Sequence, residues 1–385
     1  MKEKVKIGII GTFLVMLFMP ALLALLSVVT GSRIDLPLSG YTEQTKPQKY
    51  KFDDWLNGTV QTASTAELTE NLMPRGLFIK VYNTINFYLF NKSERVIGKE
   101  RDIFELNYID AELALSEEND FSREENVARM GGYMDQIRLL QQLLKDRGKV
   151  LYFYVAPSKA SVHRDHIPDR FFGISQNHLR AVDVFREKIK ETGIPYLLCS
   201  DLLDELEYPP FYSTGIHWSR PYEQYASQRI IGDLSRITGK KYRNIVFTGV
   251  ESSAEPWFRD SDVYDLANVF FRPRVTYYQY NTELEQADRY DSLRVLIQGD
   301  SFALGLRKDI IENDETAEVY YVTRDESLVD RNEKFEIFYG DWSAVDWEAY
   351  LEHVDVIVLE ATEALLHEYS FGFVPMLLNV LQAEE

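Results

Sequence analysis

The hydrophobic and polar positions of this 385-residue chain change pattern along its length. Residues 7–29 form a run of 23 without a charged side chain, preceded by Lys2, Lys4 and Lys6. A helix of that length crosses a hydrocarbon core about 30 Å thick, and the lysines favour keeping residues 1–6 in the cytoplasm. A cleaved signal peptide has a shorter apolar region, about 7–15 residues, and a small-x-small site. The run here ends Leu25-Leu26-Ser27-Val28-Val29-Thr30-Gly31, without such a site. The expectation is a single-pass anchor in the cell membrane with the main domain outside; Pro20 is tolerable in a membrane helix. Residues 30–68 are polar, with Pro37 and Pro47 among scattered Thr and Ser, and read as a stalk.

Residues 69–385 then carry the patterns of a folded domain. Apolar positions recur at helical spacing over 76–90 and again over 124–146, where Ala128, Met130, Tyr133, Ile137, Leu140 and Leu143 mark one face. From there short apolar runs and helical segments alternate. Strands are expected at 150–155, 195–199, 293–298, 318–322 and 354–359, with helices at 178–191, 222–238, 302–311, 347–353 and 374–381. Buried strands alternating with helices imply an α/β fold, a mostly parallel sheet covered on both faces. Residues 240–290, rich in Tyr, Arg, Asp and Glu, interrupt the alternation as a possible insertion.

Composition sharpens this picture. The formal charge is −19, and removing residues 1–30, which carry a net +2, leaves −21 outside the membrane. That balance argues against nucleic-acid binding, which needs a basic footprint to release counterions. The single cysteine, Cys199, cannot form an intramolecular disulfide and lies in an apolar stretch, as a core thiol does. No H-E-x-x-H and no Cys/His cluster is present, so a zinc site is not expected. Neither nucleotide-binding glycine pattern occurs, and no cofactor is implied.

Candidate chemistry concentrates at Leu293-Arg294-Val295-Leu296-Ile297-Gln298-Gly299-Asp300-Ser301-Phe302. A buried strand runs into Gly-Asp-Ser and a helix follows, which puts Ser301 at the carboxyl edge of a parallel sheet, where ligands bind. A helix N-terminus there favours a developing oxyanion. The plainer alternative is that Asp300 or Ser301 simply caps the helix. A serine nucleophile needs a base, usually histidine. Of the six histidines, His217 has the most distinctive setting, the polar loop Tyr212-Ser213-Thr214-Gly215-Ile216-His217-Trp218 before a helix. His163, His166, His178, His353 and His367 sit among charged or helical positions, where exposure or a local hydrogen bond accounts for them.

Several blocks, in order, resemble one family. Val96-Ile97-Gly98-Lys99, Val155-Ala156-Pro157-Ser158-Lys159, Tyr212 to Trp218, Gly299-Asp300-Ser301-Phe302 and the 355–363 stretch are similar to the extracytoplasmic SGNH-hydrolase-like proteins of the AlgJ/AlgX and DHHW type. The resemblance implies an SGNH-hydrolase-like, flavodoxin-like sheet flanked by helices, with histidine preceding serine in the chain. It implies Ser301 as nucleophile, His217 as general base, and an oxyanion hole drawn from Gly299, Asp300 and the Ser301 N–H. The family's acid, two residues before the histidine, is replaced here by Gly215. Asp201, Asp204 and Glu360 are the candidate substitutes, with an arginine partner the plainer reading for Glu360.

By resemblance, the function expected is O-acetylation of a polysaccharide or cell-wall glycan. A membrane-bound O-acyltransferase would be the donor partner, and the glycan, neutral by preference, the acceptor. Two alternatives stay open: a noncatalytic assembly or glycan-binding subunit, and a glycan acetyl esterase. If the site is a triad weakened at Gly215, Gly215→Asp should raise activity.

Overall fold

The strands form where Val, Ile, Leu, Tyr and Phe follow one another without interruption, because a strand covered on both faces has no polar side to present. The computed structural model describes residues 2–31, 36–40, 50–71, 75–173, 178–286, 289–323, 336–338, 342 and 345–383. Its chain divides into two compact units, Met1–Glu94 with Val263–Pro273, and Arg95–Asp262 with Arg274–Glu385.

The first unit contains α1 (Lys2–Thr30), α2 (Phe52–Leu56), α3 (Thr59–Asn71) and α4 (Arg75–Phe90). Within α1, Val5–Leu23 has a mean hydropathy of 2.1 and none of it is buried, so it is long and apolar enough to cross a membrane. Helices α2 and α3 lie in the stretch read as a stalk, whose residues 32–35 and 41–49 fall outside the described ones. Residues 69–94, grouped by sequence with the domain that follows, cluster with this first unit. On α4, Phe87 is buried and packs edge-on against Tyr264 at 5.4 Å between ring centroids.

The second unit runs through β1 (Val96–Ile97), β2 (Ile103–Phe104), α5 (Leu106–Leu113), α6 (Glu124–Asp146), β3 (Val150–Ala156), α7 (Lys159–Val162), α8 (Ala181–Ile189), β4 (Tyr196–Leu198), α9 (Arg220–Thr238) and β5 (Ile245–Ser253). Helix α10 (Asp262–Leu266) opens on the last residue before the chain enters the first unit. After the return come β6 (Tyr277–Leu284), β7 (Arg294–Gln298), α11 (Ala303–Asn313), β8 (Glu318–Val322), β9 (Glu336–Phe338), α12 (Trp347–His353), β10 (Val356–Thr362) and α13 (Phe373–Ala383).

Six strands make one parallel sheet in the order β4-β3-β10-β7-β8-β9. Every side chain of β10 is buried, as befits a central strand, and each large apolar side chain so buried contributes on the order of 2 kcal/mol. One face packs against α6, α8, α12 and α13 through Ile137, Leu140, Phe185, Trp347, Phe373 and Leu377, all buried. The 363–383 stretch is also apolar over a membrane-spanning length, but its helix α13 belongs to this core. Cys199 is buried, and burial pushes its thiol well above the ordinary range, consistent with a core residue.

The sheet order places β10, last in sequence, between β3 and β7. From β3 the chain proceeds to the β4 edge and from β7 to the β9 edge, so the carboxyl ends of β3, β10 and β7 border the switch point where such sheets bind ligands. The segment expected to be an insertion contributes an antiparallel ribbon, β5 with β6, shifted in register between Phe247 and Gly249. Gln224 of α9 pins this ribbon: its amide oxygen accepts the Tyr280 N–H at 2.8 Å and its amide nitrogen donates to the Tyr280 carbonyl at 3.0 Å.

Candidate active site

Ser301 lies in the turn between β7 and α11, and Asp300 shapes that turn. Its carboxylate accepts the Phe302 N–H at 2.8 Å through Oδ1 and the Thr362 N–H at 2.9 Å through Oδ2, tying the turn to the end of β10. Neither side chain caps α11, whose N-cap position is Phe302; Asp300 braces the turn ahead of the helix, and the Ser301 hydroxyl is directed to His217.

The loop that carries His217 is closed by a bridge between Phe211 and Trp218. Lys159, fully buried after β3, donates to the Tyr212 and Gly215 carbonyls, each at 2.8 Å. The His217 ring packs 4.7 Å from Phe302, and Trp218 lies tilted against the same phenyl ring at 5.8 Å between centroids. Those aromatic contacts keep water off one face of the imidazole. His217 Nε2 stands 2.7 Å from Ser301 Oγ, while Nδ1 is hydrogen-bonded to Asp262 Oδ2. A carboxylate at Nδ1 fixes the proton on that nitrogen and leaves Nε2 to accept from the serine hydroxyl.

Asp262 is thus the acid of a Ser-His-Asp constellation, and none of the three acids expected from sequence takes that place. Asp201 pairs instead with Arg186 at 2.7 Å, near the β4 edge. Asp204 sits in the 3-10 turn Cys199–Glu205 and is exposed. Glu360 is fully buried in β10 and accepts the Asp300 N–H at 2.9 Å, supporting the serine turn from beneath rather than pairing with an arginine. Burial first, then the neighbouring Asp300 carboxylate, pushes Glu360 well above the ordinary carboxyl range. The shift is toward the protonated form, the direction burial imposes on an acid cut off from solvent.

The oxyanion donors expected at Gly299 and Asp300 are likewise corrected. The Gly299 N–H is bonded to the Val322 carbonyl at 3.2 Å and the Asp300 N–H to Glu360, so both amides are engaged. Among the described residues the Ser301 N–H has no acceptor, and it is the amide left to meet a developing oxyanion. Gly299 is required by close approach: a Cβ there would lie 2.4 Å from Glu360 Oε2.

The electrostatics suit a neutral base. Burial lowers the His217 pKa, the Arg259 guanidinium lowers it further, and Asp262 opposes both; the net direction is downward. Burial alone would raise Asp262, but His217 and then Arg259 outweigh it and hold the carboxyl below its usual range. Arg259 also donates through Nη2 to the Ser301 carbonyl. Sequence reasoning missed both Arg259 and Asp262. The available signal was the Arg259-Asp260-Ser261-Asp262 stretch within the polar 240–290 segment, which no local pattern connects to His217.

The segment is held against the histidine loop by backbone complementarity. Thr214 Oγ1 donates to the Asp260 carbonyl at 2.8 Å, and the Ile216 N–H donates to Asp262 Oδ1 at 3.0 Å. A Cβ on Gly215 would stand 2.8 Å from that same Asp260 carbonyl, so glycine at 215 is what admits the segment bearing the acid.

No protein-family model and no curated protein matches the sequence. Among solved structures the chain is similar to the O-acetyltransferase domain of Pseudomonas putida AlgJ, at 12% identity and a TM-score of 0.42, over 74% of this chain and 100% of that one. It is similar to Pseudomonas aeruginosa AlgX at 16% identity and a TM-score of 0.43, over 79% of this chain and 72% of the other. A third likeness is to Bacillus cereus PatB1, at 11% identity and a TM-score of 0.38, covering 62% and 91%.

Proposed function

We propose that the protein is a membrane-anchored O-acetyltransferase acting outside the cytoplasm, which passes an acetyl group to a glycan hydroxyl through Ser301. The observation that carries this reading is the alignment of Ser301 Oγ, His217 and Asp262. In the first half-reaction Ser301 Oγ attacks the acetyl carbonyl, His217 Nε2 takes the hydroxyl proton, and the Ser301 N–H faces the oxyanion. The donor leaves with the proton returned by His217, and an acetyl-serine remains. In the second half a sugar hydroxyl gives its proton to His217 and attacks the acetyl carbonyl; the bond to Ser301 Oγ breaks, and His217 returns the proton to that oxygen. Asp262 stabilises the imidazolium in both halves.

The apolar helix α1 supports anchoring with residues 1–6 in the cytoplasm, and the proposed acetyl supplier is a membrane-bound O-acyltransferase that delivers the group from the cytoplasmic side. The −21 charge outside the anchor favours a neutral glycan, although salt screens such repulsion within about 8–10 Å. The test uses the full chain in detergent micelles with a chromogenic acetyl ester. Acetate release that vanishes in Ser301→Ala and His217→Ala, an acetyl adduct on Ser301, and acetyl transfer to an oligosaccharide seen by mass spectrometry are expected. Release without transfer would replace the transferase reading with an esterase; no release and no adduct would leave a noncatalytic subunit.

A further inference from the structure

Away from the catalytic serine, Asp102, His163 and His166 bring three metal-competent atoms together. Asp102 follows Gly98, Lys99, Glu100 and Arg101 just before β2, and the two histidines follow α7. His163 Nδ1 lies 2.6 Å and His166 Nδ1 2.9 Å from one oxygen, Asp102 Oδ2. The ring centroids are 5.2 Å apart, so both imidazoles converge on that oxygen from different directions. All three ligand atoms lie within 4.8 Å of one another.

We propose that these residues form a zinc site, with Asp102 Oδ2 and the two Nδ1 atoms as ligands and the fourth position open to water. Two imidazoles and one carboxylate are a donor set of the kind zinc takes, at about 2.0–2.2 Å per ligand. A tetrahedral ion holds its ligand atoms about 3.3 Å apart, so the two imidazole-to-carboxylate spacings need to open by only some tenths of an ångström. The imidazoles have room to turn, with side-chain exposures of 21% and 25%. The carboxylate, in contrast, is fixed: Asp102 is buried and its other oxygen, Oδ1, is ion-paired with Lys159 at 2.6 Å.

The surroundings have the character of an outer ligand layer. His166 Nε2 lies 3.9 Å from both Glu100 and Asp165, exposed carboxylates placed to receive its N–H through water when Nδ1 is bound to metal. Such partners orient a ligating imidazole and raise its basicity. Lys159 links the site to the catalytic loop, because the same ammonium holds the Tyr212 and Gly215 carbonyls. No zinc signature is visible in the sequence because the carboxylate is 61 residues from His163.

The experiment uses the full chain in detergent micelles, stripped with EDTA, equilibrated with zinc chloride and freed of unbound metal. Metal analysis by mass spectrometry should find one zinc per chain, with a higher Tm than the stripped protein. His163→Gln and His166→Gln, changes at partly exposed positions, should each weaken zinc retention by at least about tenfold. No retained zinc at micromolar free metal, or retention unchanged in both variants, overturns the site. A Co2+ titration of the unmutated chain is a second readout that does not depend on a variant folding. The d–d absorption of a four-coordinate nitrogen and oxygen site is expected, and its absence counts against the proposal whatever the variants do.

Discussion

Asp262 reaches His217 Nδ1 from 45 residues downstream, filling the role that glycine at 215 leaves open. The acid and the base come from separate segments, and their meeting depends on the Asp260 carbonyl lying against Gly215 and Thr214.

Asp262→Asn keeps the shape of the side chain but presents an amide to Nδ1, which favours the wrong imidazole tautomer. Turnover of an acetyl ester should fall by about 10⁴-fold in a protein that melts normally. Asp201→Asn and Asp204→Asn should leave turnover within about twofold, since surface pairs contribute little. Equal losses in all three would remove Asp262 from the triad.

The acid limb of the pH–rate profile should have its midpoint below pH 6.5, because burial and Arg259 hold His217 below that ordinary value. The base is then neutral above the folded value and loses activity as the pH falls through it. Arg259→Gln withdraws a positive charge and should move the limb upward. The same depressed pKa contributes stability that is present above pH 6.5 and lost as the pH falls through the folded value. A limb that stays put in Arg259→Gln would show that the guanidinium does not act on the imidazole.

Gly215→Asp, expected from sequence to raise activity, should instead lower it. A Cβ 2.8 Å from the Asp260 carbonyl displaces the segment that supplies Asp262. The loss should show as reduced kcat for the acetyl ester and a Tm lower by several degrees, in line with the roughly 1–3 kcal/mol typical of overpacking. Increased turnover in a folded variant would restore the weakened-triad view.

Burial raises the Glu360 pKa, so as the pH rises above about 4.5 the folded chain keeps this proton to a higher pH than the unfolded chain does. Its contribution is complete below that value and is lost as the pH rises through the raised folded pKa. Glu360→Gln, which carries a permanently neutral amide, should therefore gain stability over the parent chain as the pH rises, read as Tm across a pH series. Glu360→Ala should cost roughly 1–3 kcal/mol or more by leaving the buried Asp300 N–H without an acceptor. Parallel Tm curves for the parent and Glu360→Gln would mean that Glu360 is ionised.

Much of the fold was legible because its strands are buried on both faces. The runs at 150–155, 293–298 and 318–322 correspond to β3, β7 and β8, and the 124–146 periodicity to α6. Strand order was not legible: nothing local announces that β10 inserts between β3 and β7. At the site, Ser301 stood out because it follows a strongly patterned strand, and His217 because its polar loop leads into a strongly patterned helix. Asp262 did not, since its value lies in a tertiary approach between two loops. The same reason explains Gly299 and Asp300, whose amides look available until Val322 and Glu360 are seen to occupy them.

The glycine at 215 has a consequence for how such chains are sorted. A filter that demands an acid two residues before the histidine would record none here, although Asp262 stands at His217 Nδ1. The same filter would overlook any chain in which an inserted ribbon returns a carboxylate to Nδ1 from afar. In this chain a small residue stands where the motif would place an acid and an aspartate lies in the segment that packs onto it, so the acid is found by packing rather than by spacing.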